Sequence, residues 1–280
     1  MEEFRYSYIG CDDSLNRIQS ITLRRSTNGG LTWTNVQYAL YEYYGQGEDH
    51  GSVGDLKTVS RIGNVSNTLS GLGADYYRYY KDGEQNGFRH GLKYIFKTGD
   101  LLKLFEAAAE EDWLSMTDMQ MAPYASMYFE YDNQRRVVKE KVDGGTQTFS
   151  FQYFMGSVSS SSSVWLSKTI ETLPDGSQKT IYTNKDGNIL LTSEQKSSNS
   201  NEPKIVNFYE YDLSGRESQH FTPDAINSYS EPIVPGLLTV NTFSDQGLIK
   251  VKEYYKGVAA CSLHRNSFAM FSILSALSRA

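Results

Sequence analysis

The stretch Tyr209-Glu210-Tyr211-Asp212-Leu213-Ser214-Gly215-Arg216 decides the fold, because Phe129-Glu130-Tyr131-Asp132-Asn133-Gln134-Arg135-Arg136 echoes it. Each copy reads as a strand running into a tight turn and out into a second strand. Alternating aromatics suit a half-buried strand, and Asp with Gly or Asn supplies turn geometry at low steric cost. The Arg after the turn is placed to lay its stem over a tyrosine ring. Shorter echoes follow. Tyr182 precedes Asn184, Asp186 and Gly187 and then Ile189-Leu190-Leu191, while Phe243 precedes Asp245 and Gly247 and then Leu248-Ile249. Asp13-Ser14-Leu15-Asn16-Arg17-Ile18 repeats the second half of the unit with Asn for Gly. Tyr131, Tyr153, Tyr182 and Tyr211 recur at hairpin-length intervals.

The run Tyr211-Asp212-Leu213-Ser214-Gly215-Arg216 resembles the core of the tyrosine-aspartate (YD) repeats of the RHS, or rearrangement-hot-spot, family. In the second copy Arg135 stands where that motif has Gly, and the copy at Tyr182 lacks the Arg. The resemblance implies an all-β fold, an antiparallel hairpin-repeat sheet forming a curved or spiralling shell segment. It also implies structural roles for Tyr131, Asp132 and Arg136, and for Tyr209, Tyr211, Asp212, Gly215 and Arg216. The implied function is a non-enzymatic repeat scaffold, secreted or at the cell surface as part of a longer chain. Its partners would be the rest of that RHS-type polypeptide, an enclosed C-terminal effector, or surface glycans.

Composition fits one elongated β-rich body over residues 1–256, followed by an atypical tail, 257–280. The chain has 280 residues, with 21 Tyr and only 6 Pro, and tyrosine suits a sheet with partly wet faces. A net charge of -6 argues against nucleic acid as a partner, because phosphate binding needs clustered Lys and Arg. Arg135, Arg136, Lys139 and Lys141 are interrupted by Glu140 and followed by Asp143, as on a solvated strand face. The N-terminal residues form no apolar signal segment. In the tail, the apolar run Phe268 to Leu274 is too short for a membrane span and is expected to dock as a helix or fray.

Three polar stretches, Asn64 to Gly73, Gly156 to Ser163 and Lys196 to Pro203, read as loops inserted between strands. One helix is expected near residues 100–113, capped by Asp100, with Leu101, Leu104, Phe105 and Ala108 on one face and Trp113 near its end. Ser26-Thr27-Asn28-Gly29-Gly30-Leu31-Thr32-Trp33 is similar to the Asp-box hairpin of sialidase-like β-propellers, with Asn28 for Asp. That similarity supplies the alternative reading, a propeller glycoside hydrolase, although only one copy is present.

The sequence offers no catalytic constellation and implies no cofactor or metal. Cys11 and Cys261 have no redox or zinc spacing, and His50, His90, His220 and His264 are scattered. Tyr182 to Ser193 lacks the terminal carboxylates of a calcium loop. Glu110, Glu111 and Asp112 are consecutive on the expected helix and so point apart. The densest aromatic and basic patch combines Tyr77, Tyr79 and Tyr80 with Arg89 and Tyr94, where a sugar ring finds tyrosine faces.

Overall fold

The computed structural model describes residues 1–9, 17–65, 68–108, 112–156, 161–196, 204–231, 238–254 and 271–274. Cys11, Cys261, His264, Glu110 and Glu111, the echo at 13–16, and most of the tail lie outside these residues. The chain separates into two compact units, Met1–Phe149 and Ser150–Ala280. Both are antiparallel and strand-dominated, as the hairpin pattern predicts.

The first unit contains β1 (Glu2–Tyr8), β2 (Ile18–Arg25), β3 (Thr34–Tyr43), β4 (Leu56–Val65), β5 (Thr68–Tyr79), β6 (Leu92–Phe96), β7 (Met127–Tyr131) and β8 (Val137–Val142). Each pairs antiparallel with the next. This unbroken run is longer than the four-stranded blade of a propeller. The expected loop from Asn64 to Gly73 is instead the end of β4 and the start of β5. Its glycines serve the sheet rather than break it. Gly73 has φ +129, and a Cβ there would lie 2.4 Å from the Thr98 side chain, so only glycine admits the helix start beside the strand.

That helix, α1 (Thr98–Ala108), fills the connection from β6 to β7 together with a 3-10 turn at Trp113–Ser115 and α2 (Asp118–Met121). It starts upstream of the expected cap. Asp100 lies in the first turn, where it accepts from Ser126 Oγ (2.5 Å) and Lys103 Nζ (2.8 Å). Leu101, Leu104 and Ala108 form the buried face, and the two leucines join Tyr44, Tyr76, Tyr94, Phe96 and Met121 in one core. Phe105 stays partly exposed but meets Trp113 ring to ring at 5.0 Å. Thr117 and Gln120 close a reciprocal capping box on α2.

A charged anchor holds the helical segment to the sheet. Arg78 of β5 is completely buried, donating to Asp118 Oδ1 at 2.8 Å, to the Leu114 carbonyl at 3.4 Å and to Tyr76 Oη at 3.1 Å. Lys93 takes the other Asp118 oxygen at 2.7 Å. Burial pushes Asp118 up, but hydrogen bonds and charge from Lys93 and Arg78 outweigh it and hold the carboxyl below its usual range.

The second unit takes in most of β9 (Gln147–Met155), followed by β10 (Trp165–Thr172), β11 (Gln178–Asn184), β12 (Ile189–Gln195), β13 (Lys204–Tyr211) and β14 (Glu217–Phe221), each paired with the next. A separate ribbon, β15 (Ile226–Ser230) with β16 (Thr239–Thr242), precedes β17 (Ile249–Glu253), which pairs with β14. The core gathers Trp165, Tyr182, Leu190, Leu191, Val206 and Ile226. In the tail, Phe271–Leu274 forms β18 beside β17, a strand rather than a helix, because an open strand offers backbone partners to an extended segment. Two echoes also fall differently. Tyr153 sits mid-strand opposite Thr169. Phe243 opens no hairpin: Gly247 presses against Ala225, where a Cβ would lie 2.2 Å from its Cα, and Thr222 N–H donates to the Leu248 carbonyl across the whole ribbon.

Removing Asp118 leaves the Arg78 guanidinium buried without its counter-charge. Asp118→Ala is expected to cost about 3–5 kcal/mol in urea denaturation, and Asp118→Asn less because the amide oxygen still accepts. Since the folded carboxyl is depressed, its contribution is complete above the ordinary aspartate range near pH ~4 and is lost as pH falls through the lowered value. The alanine variant should therefore show a flatter acid limb than the parent; equal limbs would remove Asp118 from the anchor.

Candidate functional site

The stretches 132–136 and 212–216 fold into the same clasp. Asp212 Oδ1 accepts from the Ser214 and Arg216 N–H groups at 2.9 and 3.0 Å, and Oδ2 accepts from Arg216 Nε at 2.8 Å. Asp132 Oδ1 does the same for Gln134 and Arg136 at 2.8 and 2.9 Å, with Arg136 Nε on Oδ2 at 2.8 Å. Across each turn the Asp N–H donates to the Arg carbonyl, and the residue before the Arg donates back to the Asp carbonyl. That residue lies in the left-handed region, Gly215 at φ +73 and Arg135 at φ +63. Arg135 accepts the strain glycine avoids, and its guanidinium lies 4.9 Å over the Phe88 ring. The Arg216 guanidinium covers Tyr254 at 4.4 Å.

The same closure recurs at the shorter echo and beyond it. Asn184 Oδ1 accepts from the N–H groups of Asp186 and Asn188, with Gly187 at φ +81. Over longer loops, Tyr44 closes onto Gly54-Asp55 and Tyr80 onto His90-Gly91, again with positive φ at Gly54 and His90. Thr183, not Tyr182, therefore takes the Tyr211 place in the third copy. Tyr182 is instead one of the most buried core residues.

A strand irregularity precedes the turn in each of these hairpins, between Glu42 and Tyr43, Arg78 and Tyr79, Glu130 and Tyr131, Tyr182 and Thr183, and Glu210 and Tyr211. A bulge re-aims a side chain. Here it aims the tyrosine at the preceding hairpin. Tyr43 Oη donates to the Ile18 carbonyl at 2.8 Å, Tyr131 to Leu92 at 2.8 Å, Tyr211 to Ile189 at 2.7 Å and Tyr254 to Glu217 at 3.0 Å, while the Tyr79 hydroxyl bonds the Leu56 backbone. Each target is the residue that opens the previous return strand: Ile18 faces Tyr8, Leu56 faces Tyr43, Leu92 faces Tyr79, Ile189 faces Thr183 and Glu217 faces Tyr211. Each of these tyrosines is a tie between neighbouring hairpins.

The clasps are structural rather than reactive. The Arg216 hydrogen bond holds the Asp212 carboxyl below its usual range. For Asp132, slight desolvation is outweighed by the Arg136 backbone and side chain. Both carboxylates are ionised and already bonded, which leaves neither a proton to give nor a base to offer. Tyr209 stacks on His220 at 4.5 Å. The proposed sugar patch is divided by the fold. Tyr80 and Tyr94 are buried, the former donating to the Phe129 carbonyl at 2.7 Å, so their faces belong to the core. Tyr77 and Tyr79 are half-buried, and Arg89 is exposed on the loop whose Gly87 presses against Tyr80.

Ser26 to Trp33 is the β2–β3 turn. Ser26 Oγ accepts from Gly30 N–H at 2.8 Å and Asn28 Oδ1 from Thr32 N–H at 2.9 Å, the internal bonding of an Asp-box, while Arg24 covers Trp33. Among the histidines, His50 lies 3.7 Å from Asp118 and His90 bonds Asp55 at 2.7 Å. Among the described residues no cluster of His, Cys, Asp and Glu has metal-holding geometry, and no helix is long and apolar enough to cross a membrane.

Two polar groupings escaped the sequence reading. One is the Arg78, Asp118 and Lys93 anchor, bordered by a cleft of about 330 Å³ lined by Tyr44, Glu48, His50 and Lys57. The other is Lys168, Tyr182 and Glu231 beneath the β15–β16 ribbon. Only the alternation of Lys168, Ile170 and Thr172 hinted that the lysine shares a face with the core. The chain matches none of the protein-family models and none of the curated proteins with which it was compared.

Gly215 has open space where a side chain would begin: a Cβ added there would have Asn188 Nδ2 as its nearest neighbour, at 3.8 Å, so substitution reports backbone strain alone. Gly215→Val should cost about 2 kcal/mol and Gly215→Asn well under half of that, read by thermal melting; equal costs would reject the turn geometry. For the ties, Tyr43→Phe and Tyr131→Phe should each cost about 1 kcal/mol by leaving a carbonyl short of a partner. Tyr8→Phe is the control: it is 53% exposed, with no hydroxyl partner among the described residues, and should leave stability unchanged.

Proposed function

We propose that this chain is a non-enzymatic scaffold of the YD-repeat, RHS-like type. The observation that carries the reading is the shared clasp at residues 132–136 and 212–216, coupled to a tyrosine that bonds the preceding hairpin. A unit that closes itself and fastens to its neighbour suits a wall assembled by lateral addition of hairpins. On this reading the sheet curves or spirals as part of a shell, secreted or at the cell surface. Its partners are the remainder of a longer RHS-type polypeptide and an enclosed effector or surface glycan.

The sialidase-like alternative draws on the single turn at residues 26–33. Its Ser26, Asn28 and Thr32 side-chain oxygens are engaged within the turn itself, which is the work of a structural hairpin.

As a wall segment, the purified chain should turn over neither sialosides nor general glycosides. Among the described residues β1 pairs only with β2, so its outer edge should also drive concentration-dependent association in sedimentation, and Tyr6→Lys should suppress it. Turnover that disappears on substituting an acidic residue would overturn the scaffold reading, as would a strict monomer at every concentration.

A further inference from the structure

In the second unit, register places a small polar floor beneath an aromatic ribbon. Ile170 faces Thr180 and Thr180 faces Ser193, giving a cross-strand row flanked by Lys168 opposite Tyr182 and by Gln195 opposite Lys204. Tyr229 and Glu231, at the end of β15 and just beyond it, stand over this row and enclose about 180 Å³. The neighbouring row is filled by Tyr182 and Leu191, both almost fully buried. Ser193 is equally buried at 4% exposure, yet it presents a hydroxyl where packing alone would select an aliphatic side chain.

The charges are unevenly satisfied. Glu231 accepts from Lys168 at 2.5 Å and from the Tyr182 hydroxyl through the same oxygen, Oε1, so its charge is paired with Lys168 while Oε2 is left to accept from a ligand. Lys204 has no carboxylate partner among the described residues, and its ammonium lies 5.3 Å over the Tyr229 ring. The cavity thus combines a floor of hydroxyls, tyrosine walls, one spare cation and room for about one six-membered ring.

We propose that this cavity binds a monosaccharide-sized sugar acid, a polyhydroxylated ring carrying one carboxylate. The carboxylate sits at Lys204, the hydroxyls bond Thr180, Ser193 and the Glu231 carboxylate, and a ring C–H face lies against Tyr229. The site stands independently of the scaffold reading.

The test titrates the full chain with D-glucuronate, D-glucose and acetate, by calorimetry and ligand-observed NMR. Glucuronate should bind, with glucose and acetate each at least roughly tenfold weaker, since each lacks one half of the recognition. Lys204→Met, on an exposed side chain that leaves the fold intact, should weaken glucuronate by roughly tenfold or more. Ser193→Val fills the floor and should abolish binding, with thermal melting confirming that the variant folds. An unresponsive parent chain would mean that the cavity holds water only and overturns the proposal. So would acetate matching glucuronate, or Lys204→Met binding as tightly as the parent.

Discussion

When a strand reverses over a few residues, backbone N–H groups at the turn lose their ladder acceptors, and something local must accept from them. In this chain one carboxylate oxygen takes two of them, at Asp132 and again at Asp212, and the amide oxygen of Asn184 does the same. The rest follows from that bond. It fixes the turn length, which forces the penultimate turn residue into the left-handed region and pins the register of the return strand. A slip of one residue would exchange the two faces of the sheet and turn the tyrosines away from their carbonyls. The tie between hairpins therefore depends on a hydrogen bond made within one.

Much of this was legible in the residues. Asp212, Gly215 and Arg216 announced a turn, and the Leu101, Leu104 and Ala108 spacing announced the buried face of the helix. Less legible was the phase. A bulge before each turn shifts alternation by one, so the Tyr182 echo read as a repeat tyrosine when Thr183 holds that place. Tyr44 and Tyr80 occupy the aspartate place over longer loops, where no sequence pattern marks them. The Ser- and Gly-rich residues from 64 to 73 read as a loop because composition cannot distinguish a breaker from a glycine that makes room for a neighbour such as Thr98.

The polar clusters were illegible for a different reason. Arg78 sits among four tyrosines in sequence, and its counter-charge Asp118 lies beyond one strand and a helix. Nothing local distinguishes it from a solvated strand residue. Its burial is a product of topology, as the helical segment closes over β5 and brings a carboxylate with it. Glu231 reaches Lys168 by the same logic, through a ribbon that departs from the sheet and returns over its face. In both units the long connections carry the acid and the sheet carries the base.

The closure is also indifferent to what it encloses. The same pair of backbone bonds shuts the loop from Asp132 to Arg136 and the much longer ones from Tyr44 to Asp55 and from Tyr80 to Gly91, while a single bond spans Thr222 to Leu248. Doubling a flexible loop adds only about 0.6 kcal/mol of closure entropy. Evolution, or an engineer, can therefore treat these openings as sockets. A foreign segment spliced behind the clasp leaves the strands in frame, and new recognition surfaces arise by cassette exchange without redesign of the framework that displays them.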